Sequence, residues 1–475
     1  MNSMNILLIR PPNPLKDAKL LSHTKPMNLA YIASYLRKYG YSVYIIDYEV
    51  EDFSNIIFID TLKEISPAVI GVSCMTPMIK SGARVCEIVK KFNRNIITVV
   101  GGSHANGLPK QTIEEFPAFD YLVYGEGEAT FLELCNRIYN GDNVEDIKGI
   151  VYKRDGFVVM NQSRELIRDL DSIPFPARDL IKYDFQAGHS VRGFSNKILS
   201  TEIYTSRGCP YKCTFCAIQT AFGNKIRFRD TSYIEEEIKQ CVRDFNFSHI
   251  IIADDTFTLK KSRAFEICEI LSRNKIKSWN CDTKVNTISR ELLMVMKQSG
   301  CKKVTFGVES GSQRIIDLIG KRINIDQVKN AVLWAKEAGI EHIEGNFIIG
   351  SDASETMEDI DLTRNLIRSI PWTFVSVGII VPYPGTPVYD KMKAKNQVAT
   401  TDWNDFVIFG KKPQWHTDHF SSQVLIDLQK KLTREFYLNP KYIFDRLMNI
   451  RSWTDVSYWV SSGLSYLNWY FTGKV

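Results

Sequence analysis

Two series of short apolar runs, each run followed by an amphipathic stretch, constrain this chain more than any other feature. In the first, Met4 to Ile9 is a strand-length apolar run ending in Pro11-Pro12-Asn13-Pro14, and Leu29 to Tyr39 repeats apolar residues at helical spacing before Gly40. Tyr41 to Asp47, Val69 to Ser73, Ile96 to Val100 and Tyr121 to Val123 continue as strands, with helical stretches such as Lys80 to Phe92 between them. This alternation predicts a Rossmann-like doubly wound sheet, whose ligands bind beyond the carboxyl ends of the strands. The residues there are small or polar: Ser73-Cys74-Met75-Thr76, Gly101-Gly102-Ser103-His104 and Gly125-Glu126-Gly127-Glu128. Glycine lets a ligand approach the backbone closely; the ordinary alternative is a tight turn.

Ile147 to Asn161, with Asp155-Gly156 between two β-rich runs, reads as a hairpin, and Asp169 to Pro176 as a connector. The second series places strands at 198–206, 249–253, 278–285, 304–308, 343–349 and 374–380, with helices near 231–246, 261–274, 289–299, 326–338 and 356–369. Six βα units in line predict a partial or complete parallel barrel with its chemistry at the carboxyl ends of the strands. The remaining residues, 396–475, are helical and aromatic, with Trp403, Trp415, Trp453, Trp459 and Trp469. They read as a helical lid over the barrel mouth, or as an apolar pocket or interfacial membrane contact through Trp453 to Phe471. The fold class is α/β throughout, divided as 1–140, 141–194 (hairpin and linker), 195–395 and 396–475.

Composition excludes several classes. With 44% hydrophobic and 24% charged residues the chain is globular, and a net charge of +6 over 475 residues is no nucleic-acid-binding stripe. No run of about 18 apolar residues exists, so no membrane-spanning segment is expected. Met1 to Arg10 does not read as a signal peptide, and ten cysteines then suggest a reducing cytoplasm where clustered thiols mean metal.

Three of those cysteines form the sharpest motif: Arg207-Gly208-Cys209-Pro210-Tyr211-Lys212-Cys213-Thr214-Phe215-Cys216, just after the first strand of the second series. A compact loop can point three thiolates at one site while leaving a metal position open, and soft thiolates suit zinc or iron–sulfur chemistry. A zinc knuckle or chance spacing is the plain alternative.

This loop resembles that of the radical S-adenosylmethionine (SAM) superfamily. The resemblance implies a [4Fe–4S] cluster on Cys209, Cys213 and Cys216, with SAM chelating the fourth iron and cleaved on reduction to a 5′-deoxyadenosyl radical. It places Phe215 near the adenine, or else in ordinary core packing. Asp254 and Asp255, ending Ile251 to Phe257, correspond to the contact with the SAM amino group, against helix N-capping. Glu309 and Ser310 resemble the polar pair on the ribose, against a plain cap. Lys284 stands where relatives often carry arginine. Gly350-Ser351-Asp352-Ala353-Ser354-Glu355-Thr356 departs from the usual Gly-x-Pro-Gly-Glu-Thr, whereas Pro382 to Pro387 matches the barrel exit. The seven other cysteines are scattered singly, which predicts no second cluster.

A Rossmann-like unit before such a barrel resembles the cobalamin-binding domain of the B12-dependent class. That implies cobalamin contacts among Ser73, Thr76, Gly101, Gly102, His104, Gly125 and Glu126. The Asp-x-His-x-x-Gly lower-ligand motif is lacking, since Gly102 stands where aspartate is required, so cobalamin is expected without histidine on cobalt. The alternative is a vestigial domain that binds nothing. The function implied is methylation of an unactivated carbon of a small-molecule or lipid-like substrate, with electrons from a reductant such as flavodoxin or ferredoxin. Radical cyclisation, oxidation or rearrangement with cobalamin as electron carrier is the second reading, and a non-catalytic cobalamin or iron–sulfur sensor the third.

Overall fold

The computed structural model describes residues 4–13, 25–182, 199–408 and 412–448, with positions 450, 453, 456, 457, 459–461, 463 and 464 beyond them. The first sheet contains β1 (Asn5–Arg10), β2 (Ser42–Asp47), β3 (Val69–Ser73), β4 (Ile97–Gly101), β5 (Tyr121–Val123), β6 (Ile150–Arg154) and β7 (Phe157–Met160). Their order is β2-β1-β3-β4-β5-β6-β7; the first five are parallel, and the hairpin β6–β7 is its antiparallel edge. β1 is apolar at every interior position because helices cover both faces. Leu7 and Ile9 join a core with Phe58, Leu62, Val85 and Val89, while Ile6 and Leu8 join another with Leu29, Ala33, Phe131 and Leu134.

The second sheet begins with β8 (Ser200–Ile203). A short antiparallel ladder of β9 (Ser206–Arg207) and β10 (Arg227–Phe228) follows, and then β11 (His249–Ile252), β12 (Ser278–Thr283), β13 (Cys301–Glu309), β14 (His342–Ile349) and β15 (Phe374–Ile379). The order β15-β14-β13-β12-β11-β8 is parallel throughout and does not close, giving the partial (β/α)6 barrel. Several of its helices start at side-chain caps: Asp230 accepts from the Ser232 N–H, Ser289 from Leu292, and Asn324 and Gln327 form a capping box.

The C-terminal residues serve both units. Trp403, Phe406 and Trp415 complete the core of the first, whereas Leu425, Leu428, Leu432 and Phe436 of the helix Ser422–Tyr437 enter the barrel core. That helix runs along the edge strand β15 and occupies its free carbonyls. Tyr437 Oη donates to Val375 O at 2.9 Å and Gln429 Nε2 to Val377 O at 2.9 Å, and Tyr442 of the following helix, Pro440–Met448, donates its Oη to Thr373 O at 3.0 Å just before the strand. Within the segment expected as a lid over the barrel mouth, the helix Ser422–Tyr437 is thus an edge cover. Trp453 is exposed, and residues 465–471 lie outside the described residues. Among the described residues no helix is long and apolar enough to cross a membrane.

Candidate active site

The cysteine loop is braced from beneath by Asp254. Its carboxylate accepts the N–H groups of Thr205 (2.6 Å) and Ser206 (3.0 Å) and both hydroxyls, at 2.5 and 2.8 Å. These four bonds fix the chain just before Arg207-Gly208-Cys209. Asp255 instead faces the open side, accepting from the Gly208 N–H, and burial, followed by the charge of Asp254, pushes it up to about 6. Neither aspartate caps the following helix, which begins at Lys261 with Lys260 at its N-cap.

All three loop thiols border one cavity of about 1010 Å³. Cys209 Sγ lies 3.8 Å from Thr256 Oγ1, and Cys213 Sγ lies 3.9 Å from Gly320 O. Thr214 ties the loop down twice: its N–H donates to Ile319 O at 3.0 Å, and its carbonyl accepts from Val388 N at 3.1 Å. Burial pushes the Cys216 thiol up to about 11 and raises that of Cys213. Coordinated metal would reverse this, because a ligated thiol loses its proton outright. Among the described residues no three or more His, Cys, Asp or Glu side chains gather around a single ion. The three sulfurs share the wall of the same cavity. Cys74, the other cysteine at the cavity, packs its sulfur against Gly82 in the core. Phe215 lines the cavity and packs against the first unit's core, so both roles read for it are compatible.

The opposite wall of the cavity belongs to the first sheet. Ser73 at the end of β3, held by Asn28 Nδ2 at 2.6 Å, lies there with Met75, Gly102 and Ser103. Gly102 has φ +97°, and a Cβ on it would come within 2.6 Å of Cys74 O, so no other residue fits. The two units meet with equally little room elsewhere: a Cβ on Gly107 would fall 2.4 Å from Pro384 O in the barrel-exit loop. This small-residue shelf facing a large void is compatible with a broad, flat ligand such as a corrin.

Several residues read from the sequence as cofactor contacts stand away from the cavity. Glu126 accepts from Arg207 at 3.0 Å, Arg227 at 2.7 Å and the Ile167 N–H at 2.8 Å, and Glu128 accepts from Arg207 at 2.5 Å. This loop, with Gly125, clamps the barrel entry instead of lining the void. His104 is buried edge-on against Trp403, with ring centroids 4.9 Å apart, and desolvation lowers it to about 4. Thr76 and Gly101 are likewise not on the wall. Ser310 braces its own turn, with Oγ accepting from Ser312 N at 3.1 Å and lying 3.2 Å from Thr363 Oγ1. Glu309, at φ +71° beside a β13 irregularity, accepts from Lys321 Nζ at 2.6 Å.

Two cations escaped sequence reading or gained definition. Lys321 lines the cavity, and Lys284 sits 3.2 Å over the Tyr211 ring, donates to Lys321 O, and is lowered to about 8 by burial and the charge of Lys321. The altered turn at Gly350 to Thr356 still forms: Glu355 accepts from the Gly350 N–H, and Thr356 with Asp359 makes a capping box.

A model of the B12 binding domain matches residues 17–135, and one of the radical SAM superfamily matches residues 203–367. An uncharacterized methyltransferase of Pyrococcus horikoshii is 34% identical over 446 residues, 93% of this chain and 94% of its own. The chain belongs to the cobalamin-dependent radical SAM methyltransferase family. The anaerobic magnesium-protoporphyrin IX monomethyl ester cyclase of Rubrivivax gelatinosus is 28% identical, covering 93% of this chain and 78% of that one. The cobalamin-dependent SAM radical enzyme OxsB, solved with aqua-cobalamin and SAM, shares the fold at a TM-score of 0.75 and 18% identity, covering 99% of this chain and 72% of that one. The protein is thus a radical SAM enzyme, and the cofactors of its family are the [4Fe–4S] cluster, SAM and cobalamin.

Proposed function

We propose that this radical SAM enzyme methylates an unactivated carbon of a small molecule held between the cysteine loop and the Gly102 shelf. The observation that carries this reading is the single cavity shared by Cys209, Cys213 and Cys216 on one wall and Ser73, Gly102 and Ser103 on the other. Together with SAM, the bound cluster supplies a radical and cobalamin supplies the methyl group. The three cysteines hold the cluster, Asp255 meets the SAM ammonium, and Phe215 closes the apolar side of the adenine site. Lys284 and Lys321 set positive charge beside the thiolates, and Ser73 with Gly102 supports the corrin. Reactants held in register and away from bulk water make the hydrogen abstraction effectively intramolecular. A flavodoxin or ferredoxin supplies electrons in the cytoplasm, and no nucleic acid takes part.

Anaerobic incubation with methyl-labelled SAM, cobalamin, reductant and a small-molecule extract tests this by mass spectrometry. S-adenosylhomocysteine together with a labelled product is expected. Deoxyadenosine without methyl transfer would instead favour a radical oxidation or cyclisation, the reading that the likeness to the Rubrivivax cyclase supports. Neither product would leave only a non-catalytic sensor.

A further inference from the structure

The inward-facing positions of a parallel barrel are ordinarily filled by branched apolar side chains. Here they are polar along adjacent strands. Asn280 and Asp282 of β12, Lys303 and Thr305 of β13, and Glu344 of β14 all line the cavity, with Glu202 of β8 opposite. Strand register pairs Asn280 with Lys303, Asp282 with Thr305 and Thr305 with Glu344, so these side chains share neighbouring layers of one interior.

The charges do not balance. Lys303 pairs with Glu344 at 2.5 Å, and Lys25, which bears on Glu202, directs its ammonium to Ser200 Oγ at 3.3 Å. In these strand layers three carboxylates therefore face two ammonium groups, while Arg10, Lys284 and Lys321 stand elsewhere on the cavity wall. Asp282 makes no direct ion pair among the described residues: the charge of Lys303, already paired with Glu344, reaches it from a distance, and its hydrogen-bond partner is the Thr305 hydroxyl. It is enclosed by protein, yet its side chain remains accessible, because the surface it presents is the wall of the internal void. Desolvation raises its pKa accordingly. Glu202 is 7% exposed and lines the same void, and its Oε2 has no hydrogen-bond partner among the described residues. A desolvated carboxylate that shares one ammonium, Lys303, with a second carboxylate is only partly neutralised, and a bound cation offsets the remaining cost.

We propose that the barrel interior is a recognition subsite for a cationic nitrogen of the substrate, a protonated amine or guanidinium, with Asp282 as its counter-charge and Glu202 and Glu344 flanking it. The inference rests on the reading of the cavity as the place where SAM and substrate meet. It selects polar, nitrogen-bearing substrates over lipid-like ones.

Three probes of one size and different charge test it: benzylamine, benzyl alcohol and benzoate, titrated by ligand-observed NMR against anaerobic, reconstituted, SAM-loaded full-length protein. Benzylamine is expected to bind at least tenfold more tightly than the other two. Asp282→Asn is expected to erase that preference, and Lys303→Gln, which enlarges the acidic surplus, to strengthen it. Preference for benzoate or benzyl alcohol overturns the proposal, as does an Asp282→Asn protein that keeps the preference or loses affinity for SAM instead of for the amine. Should Asp282→Asn fail to fold, the direction of the Lys303→Gln change decides. SAM cleavage by the wild type, measured without any probe, reports on the catalytic reading separately, so either can fail alone.

Discussion

Asp254 and Asp255 are adjacent in sequence and opposite in use. A strand ending in two acids announces itself, but which of them turns inward depends on the register of β11 against β8, and that is a tertiary fact. Both line the cavity, but Asp254 spends its oxygens on Thr205 and Ser206, whereas Asp255 accepts the Gly208 N–H. Asp254→Ala leaves two buried N–H groups unpaired and is expected to cost about 3 kcal/mol, read as a lower urea midpoint together with poor iron uptake. Asp255→Asn is expected to keep both and weaken SAM binding at least tenfold in a calorimetric titration.

Glu355 carries the clearest pH signature. Burial raises it from 4.5 to about 8, so the folded chain holds a proton that the unfolded chain has lost at neutral pH. The associated stability is complete below about 4.5 and disappears as the pH rises toward 8. Glu355→Gln keeps the neutral form at every pH. Its unfolding free energy in urea is expected to match wild type near about pH 4 and to exceed it by roughly 4–5 kcal/mol near about pH 8.5, since each tenfold change in proton affinity corresponds to about 1.4 kcal/mol. A constant gap would show that the carboxyl is not buried neutral.

At the scale of elements, periodicity was sufficient for the two βα series. The six barrel strands and their helices fall where apolar alternation puts them, because each strand must bury apolar residues toward the helices outside. The same pattern was silent about the inner face, where Asn280-x-Asp282, Lys303-x-Thr305 and Glu344-x-Asn346 repeat polar residues at a spacing of two. That spacing was the available signal for the site, and it marks a void in place of a packed core. The Gly125-Glu126-Gly127-Glu128 loop misled for a related reason: a polar loop at a strand's carboxyl end can face a ligand or a neighbouring domain with equal ease. Here it faces Arg207, buried between Glu126 and Glu128 with its guanidinium 5.5 Å from the Tyr31 ring centroid. Arg207→Met leaves Glu128 with only the weaker charge of Arg229 and is expected to cost about 3 kcal/mol, whereas Arg207→Lys recovers only part of it. Urea unfolding followed by fluorescence checks both, with iron content reporting whether the adjacent cysteine loop is disturbed.

For the molecule as a whole, the two units and the C-terminal segment form one working body. The Gly107–Pro384 approach, the Arg207 clamp and Trp403 bonded to Glu115 at 2.8 Å hold the first sheet's carboxyl ends against the barrel mouth. Sequence could supply each unit, but not the void between them, since a cavity arises from how surfaces meet. The seven remaining cysteines are buried free thiols, in keeping with packing roles. What matters most is that Cys209, Cys213 and Cys216 leave a cluster site open toward the shared cavity. Low-temperature EPR of the anaerobically reconstituted, reduced enzyme, recorded before and after SAM is added, tests this directly. A [4Fe–4S]⁺ signal whose g-values move on SAM binding, lost when any of the three cysteines becomes alanine, is expected; a signal indifferent to SAM, or one that survives those substitutions, would contradict it.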